Sequence, residues 1–316
     1  MRLRKWEMSS RNLPSTVSAA MRNGMTPLRD AIFLRANGER VAFSEYGDAR
    51  GEPVIFCHGW PSSRTMAELT HDAARELGVR IISPDRPGIA DSTFVPARRL
   101  LDWPPLLREL MEFLQIRRFR MLAISGGAPY AYATARAMPD SVAALAVVSG
   151  APDIAGLNDR SGLFALYRLM LSAYRTLPRF SRWSFRLARP FLSLRPPRRT
   201  RPILLKLLQP CDAGALRDER AFEACFESQR RAWEASAEGV LVDAEIYAQP
   251  WGFSLNELRV PVRLWHGNAD RSFSAAIARQ MASQIPDCVT YFIDDAGHYS
   301  TPIRHMREII ADLLVA

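Results

Sequence analysis

Lysine is nearly missing from this chain: all but two of its 42 basic residues, Lys5 and Lys206, are arginine. The bias runs through the whole sequence and reads as a coding preference rather than a local binding site. Cysteine is sparse as well. Cys57, Cys211, Cys225 and Cys288 lie far apart, form no CxxC pair and have no His at ligand spacing, which excludes the common zinc and redox motifs. With 17 Gly and 22 Pro in 316 residues, collagen-like and low-complexity chains are excluded too. No 18 apolar residues run together, and the basic start MRLRKWEMSS is not followed by the apolar stretch of a signal peptide. A soluble, cytoplasmic protein is therefore expected. Residues 1–29 show neither a helical nor a strand period and are expected to form a disordered extension.

What remains is ordinary globular composition: 48% hydrophobic and 24% charged positions, long enough for about two structural units and a large core. From Ala31 onward, short apolar runs alternate with turn chemistry. Asn37-Gly38 between two such runs is a hairpin signal, so two edge strands are expected to open the fold. Continuous apolar runs follow at Val54–Cys57, Val79–Ile82, Met121–Ile124, Val142–Val148, Val262–Trp265 and Val289–Ile293. Strands apolar on both faces belong to a parallel sheet covered on both sides. Helical stretches at Leu106–Leu114, Ala128–Met138 and Ala275–Ile285 complete the βαβα alternation of a doubly wound α/β domain. One interruption breaks it. Residues 151–255 are rich in Leu, Phe, Trp, Arg and Pro at helical spacing, with Phe222, Cys225, Phe226 and Trp233 marking one helix face. The expected organisation is a core of residues 30–150 and 256–316, with 151–255 as a helical cap over the strands' carboxyl ends, where open α/β sheets bind ligands.

Ser125 stands in Ala123-Ile124-Ser125-Gly126-Gly127, directly after an apolar strand and before an Ala-rich helix. A serine on such a sharp turn exposes its hydroxyl above the sheet, next to a helix N-terminus that favours developing negative charge. The segment resembles the nucleophile elbow of the α/β-hydrolase family, with Ala123 in place of the first glycine of GxSxG. A serine nucleophile needs a base, and the base needs a carboxylate to fix its tautomer. His298, in Asp294-Asp295-Ala296-Gly297-His298, follows the last apolar run. Asp270, in Trp265-His266-Gly267-Asn268-Ala269-Asp270, follows the run before it. The order Ser125, Asp270, His298 is that of the family's triad.

The resemblance also implies an oxyanion hole from the backbone amides of Gly126 and Trp60, the latter in the HGxP-like loop His58-Gly59-Trp60-Pro61. By the same resemblance His58 orders that loop, and the Trp60 side chain either lines an acyl pocket or packs. Asp85-Arg86-Pro87-Gly88-Ile89-Ala90-Asp91-Ser92 is similar to the family's DxPGxGxS turn, read as loop-shaping through turn hydrogen bonds. Trp251, in Pro250-Trp251-Gly252-Phe253, sits where the cap rejoins the core; Trp60, His58 and Trp251 are the candidate pocket residues. The implied activity is hydrolysis of a carboxylic ester or related acyl bond of a small, largely apolar molecule, with no cofactor and no metal. The alternatives are a lactonase, an amide or C–C bond hydrolase with the same triad, or a non-catalytic small-molecule binder on this fold.

The net charge of +9 is regional: residues 161–210 hold eleven cations and no Asp or Glu. Within that stretch Arg179, Arg182, Arg186 and Arg189 recur at helical spacing, with Trp183 and Leu187 on the adjoining arc. The preferred reading is a solvated arginine face over an apolar cap interior; the other is peripheral contact with an anionic membrane. Nucleic acid fits only the sign of the charge, since no phosphate loop or nucleic-acid module accompanies it.

Overall fold

The computed structural model describes residues 27–194 and 201–316, so the expected extension lies largely outside the described residues. An eight-stranded sheet runs through the molecule in the order β1-β2-β4-β3-β5-β6-β7-β8. Its strands are β1 (Arg29–Leu34), β2 (Arg40–Gly47), β3 (Glu52–Cys57), β4 (Val79–Pro84), β5 (Phe119–Ile124), β6 (Val142–Val148), β7 (Val262–Gly267) and β8 (Cys288–Ile293). The first two pairings, β1 with β2 and β2 with β4, are antiparallel, and all the others are parallel. The hairpin turns at Asn37-Gly38, with Gly38 at φ 85°. Of these two strands only β1 is an edge, however. β2 hydrogen-bonds on both sides and is buried from Val41 to Gly47, so the expectation of two edge strands is corrected. The opposite correction applies to β8. Its apolar run suggested a strand covered on both faces, but it closes the sheet with a half-exposed edge, Val289 included.

Helices α1 (His71–Glu76) and α11 (Ser300–Leu314) cover one face, and α2 (Trp103–Phe113), α3 (Ala128–Ala137) and α10 (Ala275–Ala282) the other. Each turns an apolar stripe inward. In α11 these residues are Met306, Ile309, Ile310 and Leu313, packed on Val148 and Trp265 of the sheet. Burying each such side chain contributes about 1.5–3 kcal/mol. Proline opens α2, where a missing N–H costs nothing.

Between β6 and β7 the chain forms α4 (Ala165–Thr176), α5 (Pro178–Leu192), α6 (Arg201–Lys206), α7 (Pro210–Ala215), α8 (Glu219–Glu234) and α9 (Glu238–Tyr247). Asp218 caps α8 by accepting from the Ala221 amide, and Phe222, Cys225 and Trp233 are buried along one side of it. Helix α5 keeps the solvated arginine face of the preferred reading, with the Arg182 and Arg186 side chains 51% and 58% exposed, but those arginines also have partners. Arg182 pairs with Glu245 and Arg186 with Glu238, both on α9, while Arg189 donates to the carbonyls of Trp233, Glu234 and Ala235 at the end of α8. The arginine arc is a half-exposed seam to neighbouring helices, and the apolar arc of Phe180, Trp183, Leu187 and Phe191, expected to face inward, is exposed as well. Sequence periodicity located both arcs but not the exposure of the apolar one, nor the acidic partners of the charged one, which lie 63 and 52 residues away. Among the described residues, no helix is long and apolar enough to cross a membrane.

Candidate active site

β5 ends at Ile124, and the chain turns through a single 3-10 turn, Ser125–Gly127, into α3. Ser125 is the residue that bends: its φ is 52°, a left-handed conformation that costs a side-chain-bearing residue about 1–3 kcal/mol and is held by the surrounding structure. The turn requires small neighbours. A Cβ on Gly127 would lie 2.1 Å from the Cys57 carbonyl oxygen of β3, and one on Gly126 would lie 2.8 Å from both the Trp60 Cβ and the Tyr247 hydroxyl. Alanine at position 123 meets no such limit, since it is fully buried within the strand.

The structure brings Ser125, His298 and Asp270 together. His298 Nε2 is 2.9 Å from Ser125 Oγ, and His298 Nδ1 is 2.8 Å from Asp270 Oδ2. A carboxylate only accepts, so Nδ1 carries the proton and Nε2 is left with its lone pair toward the serine hydroxyl. The Asp270 carboxylate also accepts from the amides of Ser272 and Phe273 at 2.7 and 3.1 Å. Burial would raise its pKa, but the imidazole charge and bond of His298 outweigh that and hold it below the usual carboxylate value. Burial would lower His298, yet the Asp270 carboxylate, with a contribution from Asp212, leaves it above the ordinary histidine value. His266 backs the aspartate: its Nε2 donates to the Phe273 carbonyl at 3.0 Å and lies 3.8 Å from Asp270, and burial keeps its pKa low and the ring neutral.

Above the serine the loop after β3 brings the Trp60 backbone nitrogen within 3.1 Å of where a Gly126 Cβ would stand, so the two proposed amide donors border one space. Arg86 holds this loop. Fully buried, it donates to the carbonyls of His58 and Gly59 at 2.7 and 2.8 Å and to Asp243 at 2.8 Å. Asp243 in turn accepts from Arg98 and, at 2.7 Å, from the Tyr130 hydroxyl. Burial raises the Asp243 pKa, but the two guanidiniums prevail and bring it to about 2. Tyr247 donates to the Gly126 carbonyl at 2.7 Å, and Trp60 Nε1 to the Val240 carbonyl at 2.9 Å. Finally Asp212, on α7, accepts from the backbone amides of His298, Tyr299 and Ser300 and from the Ser300 hydroxyl at 2.8–3.1 Å.

A cavity of about 310 Å³ opens beside Ser125, lined by Trp60, Tyr167, Phe180, Phe185 and Tyr247 among others. A second, of about 60 Å³, touches Ser125 from the other side and is lined by His298, Ser228, Gln229 and Tyr299. Two pocket candidates are corrected. The His58 ring is buried beneath the loop, its Nδ1 3.0 Å from the Gly59 carbonyl, and it lines neither cavity. Burial and the neighbouring Arg86 hold its pKa well below the usual value. Trp251 is buried in a stack with Tyr132 and Phe253, at 5.7 Å from each, away from both cavities. Sequence reasoning missed Arg86, Asp212, Asp243 and Tyr247. An isolated carboxylate in the apolar run Val240-Leu241-Val242-Asp243 was a signal for a buried ion pair; nothing local marked Asp212. No group of three or more His, Cys, Asp or Glu able to hold a metal ion occurs among the described residues.

The sequence model of the alpha/beta hydrolase fold matches residues 52–301, and the chain belongs to that family of hydrolases. An uncharacterized hydrolase of Bacillus subtilis (strain 168), YcgS, is 29% identical over 113 residues, a match that spans 36% of this chain and 39% of that protein. Among solved structures, a thermophilic esterase from Thermogutta terrifontis superposes with a TM-score of 0.62 at 20% identity, covering 91% of this chain and 96% of the esterase. The enol-lactonase from Burkholderia xenovorans LB400 gives 0.63 at 16% identity, covering 89% and 98%.

Proposed function

We propose that this hydrolase uses Ser125 as a nucleophile to cleave a carboxylic ester or closely related acyl bond, with helices α4–α9, residues 151–255, acting as a cap over the site. The observation that carries the reading is the unbroken relay from Ser125 Oγ through His298 to Asp270 beside a largely apolar cavity. In this mechanism Ser125 Oγ attacks the carbonyl carbon while His298 Nε2 takes its proton, and Asp270 steadies the imidazolium. The amides of Trp60 and Gly126 receive the oxyanion. The tetrahedral centre collapses, the C–O bond to the leaving group breaks, and His298 returns the proton to the departing oxygen. Water then repeats the sequence on the acyl-enzyme, releasing the acid and restoring Ser125.

The two cavities divide the substrate. His298, which must protonate the leaving group, borders the small, more polar space and not the large one. The alcohol is therefore small, and the acyl portion is the bulky apolar part, seated among Trp60, Tyr167, Phe185 and Tyr247. A fluorophosphonate probe followed by peptide mass spectrometry tests the nucleophile. Labelling is expected at Ser125 in native protein and not after heat denaturation, and Ser125→Ala should lose both labelling and turnover while retaining ligand binding. Native protein that stays unlabelled by both this probe and a smaller organophosphate would leave the non-catalytic binder as the correct reading. In a series of methyl esters, whose alcohol suits the small space, turnover should rise with acyl length beyond acetate.

A further inference from the structure

Two observations meet on the outer side of α4 and α5. The first is apolar exposure. Phe180, Trp183, Leu187 and Phe191 on α5 are 55%, 54%, 53% and 73% exposed, and Leu166 and Leu169 on the packed neighbour α4 are 50% and 64% exposed. Exposed apolar side chains in this number on two packed helices, with a tryptophan among them, are uncommon on a protein that meets only water. The second is charge. Arg168, Arg175 and Arg179, at the exposed flanks of the same two helices, make no side-chain hydrogen bond or ion pair with the described residues, unlike the arginines of the α5 seam.

The face is also continuous with the large cavity. Leu169 and Phe180 belong to both: each is more than half exposed and each lines the cavity beside Ser125. The apolar space therefore reaches the apolar surface of α4 and α5, as well as Glu245 of the arginine seam.

We propose that this face docks on an anionic lipid surface, with the side chains of Trp183, Leu187 and Phe191 entering the headgroup region and the three unpaired arginines against lipid phosphates. A helix with aromatic and aliphatic residues on one arc and arginine beside it is the composition that lies in such an interface. Charge complementarity selects this occupant over two others. A second copy seated on the same patch would set these arginines against their own counterparts, with no Asp or Glu between residues 161 and 210 to relieve them. The first 26 residues carry five basic residues against one acidic, so they too are repelled. Docked in this way, the protein holds its acyl cavity open toward the lipid. That consequence rests on the ester-hydrolase reading, whereas the docking does not.

The test is co-sedimentation of the full chain with vesicles of phosphatidylglycerol and phosphatidylcholine in equal parts, and with phosphatidylcholine alone, at about 20 mM and about 500 mM salt. Binding is expected on the anionic vesicles, weakened by salt. Each cation near an anionic surface is worth roughly fivefold in affinity, so the triple change of Arg168, Arg175 and Arg179 to Gln should cost on the order of 100-fold. Trp183→Ser with Leu187→Ser and Phe191→Ser should abolish the binding that survives high salt. Neither set lines either cavity beside Ser125, so both variants should keep the thermal midpoint and the turnover of a water-soluble ester. No binding at low salt, equal binding to neutral vesicles, or binding indifferent to both variants would overturn the proposal. So would a dimer in sedimentation equilibrium that the serine variant dissociates. Ser125→Ala should bind vesicles as the wild type does, which separates failure of docking from failure of the hydrolytic reading.

Discussion

Asp212→Asn isolates what the α7 carboxylate does for His298, the proposed base. In the wild type Oδ1 receives the Tyr299 and Ser300 amides and the Ser300 hydroxyl, and Oδ2 receives the His298 amide at 3.1 Å. The amide keeps one acceptor but sets its NH2 against a backbone N–H, so one charge-assisted bond is replaced by two facing donors. Such a bond is worth about 1.5–3 kcal/mol, and a loss near 2.5 kcal/mol over a chain of this size lowers the thermal midpoint by about 4 °C. The backbone of His298 is then free to shift, and a small misplacement of the base costs about 10- to 100-fold in kcat. A purely structural role would stop there. Asp212 also contributes negative charge that raises the His298 pKa, against the opposing effect of burial. The base must be neutral to accept the serine proton, so kcat/KM rises with pH through that pKa, with its midpoint above 6.5 in the wild type. In the variant the midpoint moves to lower pH. A group raised in the folded state contributes stability below its unfolded pKa and loses it as pH rises through the folded one, so the midpoint gap between the two proteins narrows as pH climbs above 6.5. The assay is a pH series of kcat/KM with a soluble ester alongside thermal melts. An unchanged pH midpoint would refute the electrostatic part of this reasoning, and an unchanged kcat the positional part.

Two further perturbations probe the neighbouring loops. Asp243→Ala strands the buried Arg86 and Arg98 and should cost about 3–5 kcal/mol in denaturant titrations; a loss under about 1 kcal/mol would mean the cluster carries no such load. Because the Asp243 pKa is depressed to about 2, its stability contribution is complete above the unfolded value of 3.8 and is lost as pH falls toward 2, so wild-type protein at pH 4 should retain the cluster. Gly126→Ala forces a methyl group to 2.8 Å from Trp60 and Tyr247, displacing the oxyanion loop. It should lower kcat by about 10²- to 10³-fold with the fold intact, and probe labelling at near wild-type rate would count against an oxyanion role for that pair of amides.

The sequence carried the parallel sheet because buried parallel strands must be apolar throughout, and it carried the three residues of the relay because each stands at the carboxyl end of such a strand, in order. It misplaced β2 and β8, since an apolar run records how much a strand is buried but not which neighbour pairs with it. The support of the site was invisible for a related reason. Arg86 and Asp243 are 157 positions apart, and Asp212 and His298 are 86 apart. Contacts across such separations leave no periodicity. The arginines of α5 show the same limit: their spacing was legible, but neither their partners on α9 nor the exposure of the apolar arc beside them was.

The same long-range bonds bear on how this scaffold could be re-engineered. Asp212, Asp243, Tyr247 and the Val240 carbonyl all come from the chain between β6 and β7: Asp212 grips the His298 loop, Asp243 (through Arg86) and the Val240 carbonyl grip the loop of Gly59 and Trp60, and Tyr247 grips the turn at Gly126. That stretch is thus not an interchangeable module set on a finished catalyst. A chimera that grafts another relative's helices onto this core would inherit a new pocket and lose four tethers of the reacting groups at once. Grafts confined to α4 and the outward arc of α5 leave every one of them in place, and these are the segments through which selectivity could be retuned at least cost to turnover.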